Sequence, residues 1–279
     1  MNLRVASLLV FLLASGAGSL WGQASSTHGP VHGTLVLQGG IGDNRAIISA
    51  FVAAAGGPAS HIVVIPTASV FDAGPPGMAT SLPRRMKESF GVGEVTLLHS
   101  LDRATSNSDA FVAPLRKATG VWILGGMPER MVKSYLGTGT ERAIKELLDR
   151  GGVVGGESAG AMIQGSWLDT TDLESFTPDI LALIRAHATG AGFGLLRNSA
   201  IFPHFDKRGP EAAMHESAAH PDQLAIGIDE GTALVVRGDQ AEVVGVGTVT
   251  MYDGAGRGAP TVVVLKTGEK YDLAARRRR

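Results

Sequence analysis

The chain has 279 residues, 25 Lys and Arg against 26 Asp and Glu, a formal charge of −1, 44% apolar and 5% aromatic residues, and no cysteine. The apolar share supports one substantial core and excludes disorder, while the lack of cysteine excludes disulfides, thiolate nucleophiles, zinc fingers and iron–sulfur ligation. Balanced charge with few stacking rings leaves no footprint for nucleic acid.

Residues 1–24 read as a secretory signal peptide. Arg4 is the only charge before an apolar run over 5–14, small residues follow, and Gly22-Gln23-Ala24 offers a cleavage site. The run is about half of the ~20 residues that span a bilayer, so a cleaved leader is expected rather than an anchor. The mature chain would begin near Ser25, hold one domain over 25–279, work in a secreted or periplasmic location and have no membrane attachment after cleavage. The closing Arg276-Arg277-Arg278-Arg279 reads as a solvated tail.

Short β-branched runs then alternate with helical stretches. Strands are expected at 35–37, 62–65, 95–98, 121–124 and 153–154, and helices at 46–55, 79–90, 108–118 and 141–150. The strands are apolar on both faces, which suits a flavodoxin-like parallel sheet covered by helices on each side. Thr138 with Glu141 predicts a capping box for the helix at 141–150. The last third has strand-like runs at 225–229, 233–236, 242–252 and 261–265 between short turns, an antiparallel C-terminal extension of the α/β unit. The 38 glycines, roughly twice the usual share of about 7%, show no Gly-X-Y period. Their doublets at 39–40, 125–126, 151–152 and 155–156 fall mostly where strands should end, as tight turns along one sheet edge.

Gly156-Glu157-Ser158-Ala159-Gly160 matches G-x-S-x-G between a strand end and an apolar stretch, 161–164, that can start a helix. Such an elbow holds a serine in a strained turn with its hydroxyl above the sheet, and the helix start offers N–H groups to an oxyanion. A serine needs a base. Of the eight histidines, His28, His32, His215 and His220 are expected on the surface. His61 precedes a strand, His99 ends one and His187 closes a helix. His204 follows the apolar run 199–203 at the sheet edge, where an α/β site forms. The acid that orients it would be Asp229 or Glu230, adjacent residues that point to opposite faces, and spacing does not choose between them.

The run from Gly151 to Ala161 resembles the nucleophile region of the cyanophycinase and peptidase E family of serine peptidases. Gly33 to Gly40 with Ile65 to Ser69, Trp122 to Gly126, and His204-Phe205 with Arg208 and Gly227 to Ala233 agree in the same order. The resemblance implies a fold akin to class I glutamine amidotransferases, with Ser158 as nucleophile, His204 as base and Glu230 as orienting acid. It also implies an oxyanion hole from the N–H groups of Gly126 and Ala159, and a peptide or isopeptide substrate. Arg208 would hold a substrate carboxylate or an ion pair; Glu157 would bind a cationic amine or favour the helix start. The chain departs from the cyanophycinase pattern at Met127-Pro128 and Phe202-Pro203, where the family carries polar pairs. The expected substrate is therefore a peptide or isopeptide bond rather than cyanophycin in particular.

Two other readings share these residues: an α/β-hydrolase esterase, and a catalytically inactive secreted binding protein on the same scaffold. The esterase reading lacks a His-Gly-Gly loop ahead of Ser158 and has its histidine before its acid. No HExxH or phosphate-loop spacing occurs, so no metal or cofactor is expected. A homodimer is compatible with the sequence.

Overall fold

Alternation along the first strands divides their apolar side chains between two faces, and that division builds the layers. The structure, a computed structural model, describes residues 28–69, 77–168, 178–186, 192–256 and 258–279. The leader read at 1–24 and His187 lie outside them. Five strands run parallel: β1 (Thr34–Gln38), β2 (His61–Ile65), β3 (Glu94–Leu97), β4 (Gly120–Ile123) and β5 (Val153–Glu157), in the spatial order β1-β5-β4-β2-β3. Leu35, Val63, Ile123 and Val154 pack on one face with helices Asp109–Lys117, Pro128–Tyr135 and Gly139–Asp149. Val36, Ile62, Trp122 and Val153 pack on the other with helices Arg45–Ala54 and Met78–Phe90. There Phe51, Phe90 and Trp122 cluster with ring centroids 4.9 to 5.8 Å apart.

After β5 the chain leaves this sheet. β6 (Ser199–Pro203) and β7 (Leu224–Ile228) pair parallel in a second sheet. β8 (Thr232–Arg237) returns to the first, antiparallel to β1, and β9 (Gln240–Gly245) pairs with it. β10 (Thr248–Asp253) and β11 (Thr261–Lys266) go back to the second sheet, and β12 (Lys270–Asp272) and β13 (Arg277–Arg278) close the first. The single strand expected over 242–252 is thus two strands in different sheets. The crossing is made at Gly245, whose φ of +119° suits glycine, and at Val246, whose N–H donates to Gly231 O. The second sheet lays Ile201, Ile226, Ile228 and Met251 onto the main core. Its outer face, with Phe202 and Ala225, is covered by helix Glu211–Ala219.

Three local expectations need correction. The capping box is displaced: Thr138 Oγ1 accepts from Thr140 N at 3.3 Å, and Glu141 Oε2 accepts from Gly137 N at 2.6 Å. The Thr138–Glu141 pair still satisfies two N–H groups, one residue away from those of the standard box. The C-terminal arginines are structural rather than a solvated tail. Arg277 and Arg278 pair with β12, Arg276 reaches Asp253, and Arg279 donates to Asp272 at 2.8 Å. The carboxylates of β10 and β12 supply the partners that a free tail would lack.

His28, expected on the surface, is 6% exposed, with its backbone N–H on Asp239 at 2.8 Å. Burial pushes its imidazole below the ordinary 6.5, outweighing Asp239, which pulls the other way; Arg276 and Arg197 add to the lowering and Asp272 opposes it. The unfolded chain therefore takes up this proton first. Its contribution is intact above about pH 6.5 and shrinks as the pH falls toward the folded value. Urea midpoints should drop between about pH 7.5 and about pH 5.5, and His28→Gln should make that drop smaller. Equal drops in both proteins would assign the effect to other groups.

Candidate active site

β5 delivers Ser158 at a point where only small neighbours fit. A Cβ on Gly156 would lie 2.4 Å from Gly160 O, and one on Gly160 would lie 2.1 Å from Ile123 O. Ser158 itself has φ 52° and ψ −119°, a region that costs a non-glycine residue about 1–3 kcal/mol. Its N–H donates to Gln38 O at 3.0 Å, which ties the strained turn to the end of β1. The glycine doublet at 155–156 lies within β5 rather than in a turn. Gly155 is there because the Trp122 ring would come within 2.4 Å of a Cβ. The doublet at 151–152 precedes β5, at the opposite edge from Ser158. The following helix is one turn, Ala159–Met162, starting two residues before the apolar stretch at 161–164. Any oxyanion contact there comes from individual N–H groups. Among the described residues, neither Gly126 N–H nor Ala159 N–H donates to a backbone carbonyl.

His204 comes from the second sheet, not from the edge of the sheet that carries Ser158. It follows β6 in a left-handed conformation, φ 55° and ψ 35°, and its N–H donates to Gly39 O at 2.8 Å. The carbonyls of Gln38 and Gly39, adjacent at the end of β1, therefore hold both strained residues. His204 Nε2 lies 2.8 Å from Ser158 Oγ, and Nδ1 lies 2.8 Å from Glu230 Oε1. Because an ionised carboxylate only accepts, Nδ1–H donates to Glu230 and Nε2 is left to accept from the serine hydroxyl. Asp229, the other candidate, accepts from Thr248 N and Oγ1, both at 2.8 Å. It joins β7 to β10 and is turned away from the histidine.

Sequence reasoning missed three supports of this arrangement. Asp206 Oδ1 accepts from Glu230 N at 2.9 Å and fixes the backbone of the acid. Gln38 is fully buried and its Nε2 donates to Gly40 O at 2.7 Å, shaping the turn after β1. Gly40 was visible only as half of a doublet; a Cβ there would sit 2.4 Å from His204 Cε1 and 2.5 Å from Nδ1. A polar residue ending an apolar strand, as Gln38 does, was the available signal.

Ser158 and His204 open into a cavity of about 270 Å³ lined also by Gly40, Ile41, Gly125, Gly126 and Glu157. The half-buried Glu157 carboxyl is pushed up by burial, against a hydrogen bond from Gly125 N–H and the attraction of His204. It ends β5 and does not cap the helix. Arg208 is exposed and lines a different cavity, of about 160 Å³, with Met162, Phe202, Pro203, Phe205 and Glu211. Met127 is 48% exposed beside Gly126, and Pro128 opens helix Pro128–Tyr135. Among the described residues no group of His, Asp and Glu is arranged to hold a metal ion, and no helix is long and apolar enough to cross a membrane.

This geometry has relatives. Residues 35–244 match peptidase family S51. A cyanophycinase from Synechococcus elongatus is 30% identical over 232 residues, covering 81% of this chain and 70% of the relative. One from Nostoc sp. strain PCC 7120 is 31% identical over 213 residues, covering 75% and 68%. The crystal structure of a peptidase from an acI-B1 Actinobacterium superposes with a TM-score of 0.65 at 27% identity, over 88% of this chain and 98% of that one. A Listeria monocytogenes structure, 17% identical with a TM-score of 0.54 over 77% and 99%, shares the fold. The family match spans β1 to β9 and removes the α/β-hydrolase esterase from consideration. The chain belongs to peptidase family S51 and is a serine-type peptidase with the class I glutamine amidotransferase-like fold.

Proposed function

We propose that this peptidase is a secreted or periplasmic hydrolase of peptide or isopeptide bonds, cyanophycinase-like in its chemistry, working through a Ser158-His204-Glu230 triad. The observation that carries the reading is the continuous chain of two 2.8 Å hydrogen bonds from Ser158 Oγ through His204 to Glu230. His204 takes the proton from Ser158 as its Oγ attacks the carbonyl carbon, and Glu230 steadies the imidazolium that forms. The N–H groups of Gly126 and Ala159 receive the negative oxygen. Each such donor contributes about 10²–10³ in rate when it is aimed at the oxyanion. His204 then protonates the leaving amine, and water, activated by the same imidazole, releases the acyl group and restores Ser158.

The substrate reading is narrower than the family's. In place of a polar pair before the histidine, Phe202 and Pro203 form an apolar wall with Met162 and Phe205. Arg208 at that wall is the candidate to hold a substrate carboxylate, being exposed and without an ion pair among the described residues. These side chains favour a partly apolar peptide over cyanophycin.

A fluorophosphonate probe tests the reading together with the inactive-protein alternative. The activated serine should displace fluoride and carry a stable Oγ–phosphorus bond, found by mass spectrometry on Ser158. The same protein should cleave members of a peptide library that includes β-linked aspartyl peptides. Absence of both labelling and cleavage would favour a binding protein.

A further inference from the structure

Thr67 and Tyr135 are fully buried, and their hydroxyls take no part in the proposed mechanism. Thr67 lies just beyond β2 and Tyr135 ends helix Pro128–Tyr135, and their oxygens are 2.6 Å apart. Tyr135 OH accepts from Ser100 N at 3.1 Å, and Thr67 Oγ1 lies 2.9 Å from His99 Nδ1. Burial pushes the Tyr135 phenol up, so it keeps its proton. Among the described residues that proton finds an acceptor only if Tyr135 donates to Thr67, and Thr67 then donates to His99. The same helix also grips the backbone of Thr67, whose carbonyl accepts from Arg130 Nε at 2.8 Å. A valine and a phenylalanine of the same shape would bury here without needing partners, so packing alone does not call for the two hydroxyls. What they add is a fixed register between the turn after β2 and the helix that follows Gly126.

That register reaches the Ser158 cavity through one carbonyl. Ala68 O, next in the chain after Thr67, accepts from Met127 N at 2.8 Å, and a Cβ on Gly126 would lie 2.2 Å from the same oxygen. Gly126, with φ +140°, is therefore pressed directly against the Ala68 carbonyl, and the place of that carbonyl sets where the Gly126 N–H points. Gly126 in turn lines the cavity with Ser158. We propose that Thr67 is a positioning residue: its bonds to Tyr135, His99 and Arg130 hold the Ala68 carbonyl in place, and through it aim the Gly126 N–H at the oxyanion. The inference rests on Gly126 receiving the oxyanion, as in the mechanism proposed above.

A fluorophosphonate reads this geometry, because its P=O oxygen takes the oxyanion position as Ser158 attacks phosphorus. Thr67→Val removes the hydroxyl and keeps the shape. It should lower both the maximal labelling rate and the kcat of a cleaved library peptide by about 30-fold. KM should stay within about twofold, since the oxyanion forms only after the substrate is bound. Thr67→Ser, which restores the hydroxyl, should bring both rates back to within about threefold of wild type. Urea unfolding of each variant gives the folded fraction, and a merely structural role would slow the rates only in step with it. Near-normal rates in folded Thr67→Val, a loss that appears in KM rather than kcat, or a loss that Thr67→Ser does not recover would overturn the proposal. If Thr67→Val does not fold, Tyr135→Phe removes the facing hydroxyl and carries the same expected loss. Gly126→Ala is measured alongside. Slow labelling in Gly126→Ala with normal labelling in Thr67→Val defeats the role of Thr67 alone, whereas normal labelling in Gly126→Ala defeats the Gly126 oxyanion reading and this proposal with it.

Discussion

Ser158→Ala should lower kcat for peptide cleavage by about 10⁴-fold or more, with His204→Ala close behind. In the proposed mechanism the two side chains share one proton-transfer step, so the double variant should be no slower than the slower single one. Independent contributions would instead multiply, and that outcome would separate His204 from the serine. Glu230→Gln should cost less. Its carboxylate is 30% exposed, and water reaching His204 Nδ1 replaces part of what the carboxylate does for the imidazolium. The amide also keeps an acceptor oxygen for the His204 ring, so the variant tests charge more than geometry. All three proteins should remain folded, because the backbones of Ser158 and His204 are held by the Gln38 and Gly39 carbonyls rather than by their own side chains. Single-turnover rates and circular dichroism on the same samples check both statements.

The parts of this fold governed by local periodicity could be read directly. β1 to β5 and helices Arg45–Ala54, Met78–Phe90, Asp109–Lys117 and Gly139–Asp149 were expected within one to three residues, whereas helix Pro128–Tyr135 was not expected. Val36 and Trp122 on one face, with Leu35 and Ile123 on the other, follow from strand alternation alone. What escaped was governed by contacts distant in sequence. Nothing local in residues 199–228 distinguishes a strand of the first sheet from one of the second. The difference lies in Ile201 and Ile226 packing onto a core already built by residues up to 154. The split of the run at 242–252 has the same origin, since the break at Gly245 is set by Gly231 O, 2.2 Å from where a Cβ would be. At the site, the residue types were legible and their hydrogen-bonding was not. Asp229 and Glu230 have equal chemistry, and only Thr248, brought alongside by β10, engages the first and leaves the second to His204. The arginines at 276–279 misled for a related reason: their carboxylates lie on strands that pair late in the chain.

Gly40→Ala should disable the site almost as completely as losing the histidine, with kcat down about 10²–10⁴-fold. Gly40 is not among the residues with positive φ, so alanine meets no backbone strain there. The conflict is with the histidine. A Cβ would stand 2.4 Å from His204 Cε1 and 2.5 Å from Nδ1, contacts that atoms do not sustain, and a tight 3.2 Å from Glu230 Cγ. The His204 backbone is pinned to Gly39 O, so relief must come from rotating the ring, which breaks the bond to Ser158, the bond to Glu230, or both. Stability should fall by about 1–3 kcal/mol, the usual cost of overpacking. Labelling of Ser158 by a fluorophosphonate should slow in proportion to kcat, because both depend on the same imidazole. Gly256→Ala is the control, since nothing lies within 4 Å of a Cβ there and neither rate nor stability should change beyond about 0.5 kcal/mol. Near-normal turnover in Gly40→Ala would mean that the ring works from a different position, and the hydrogen-bonded chain through His204 would lose its claim to be the catalytic geometry.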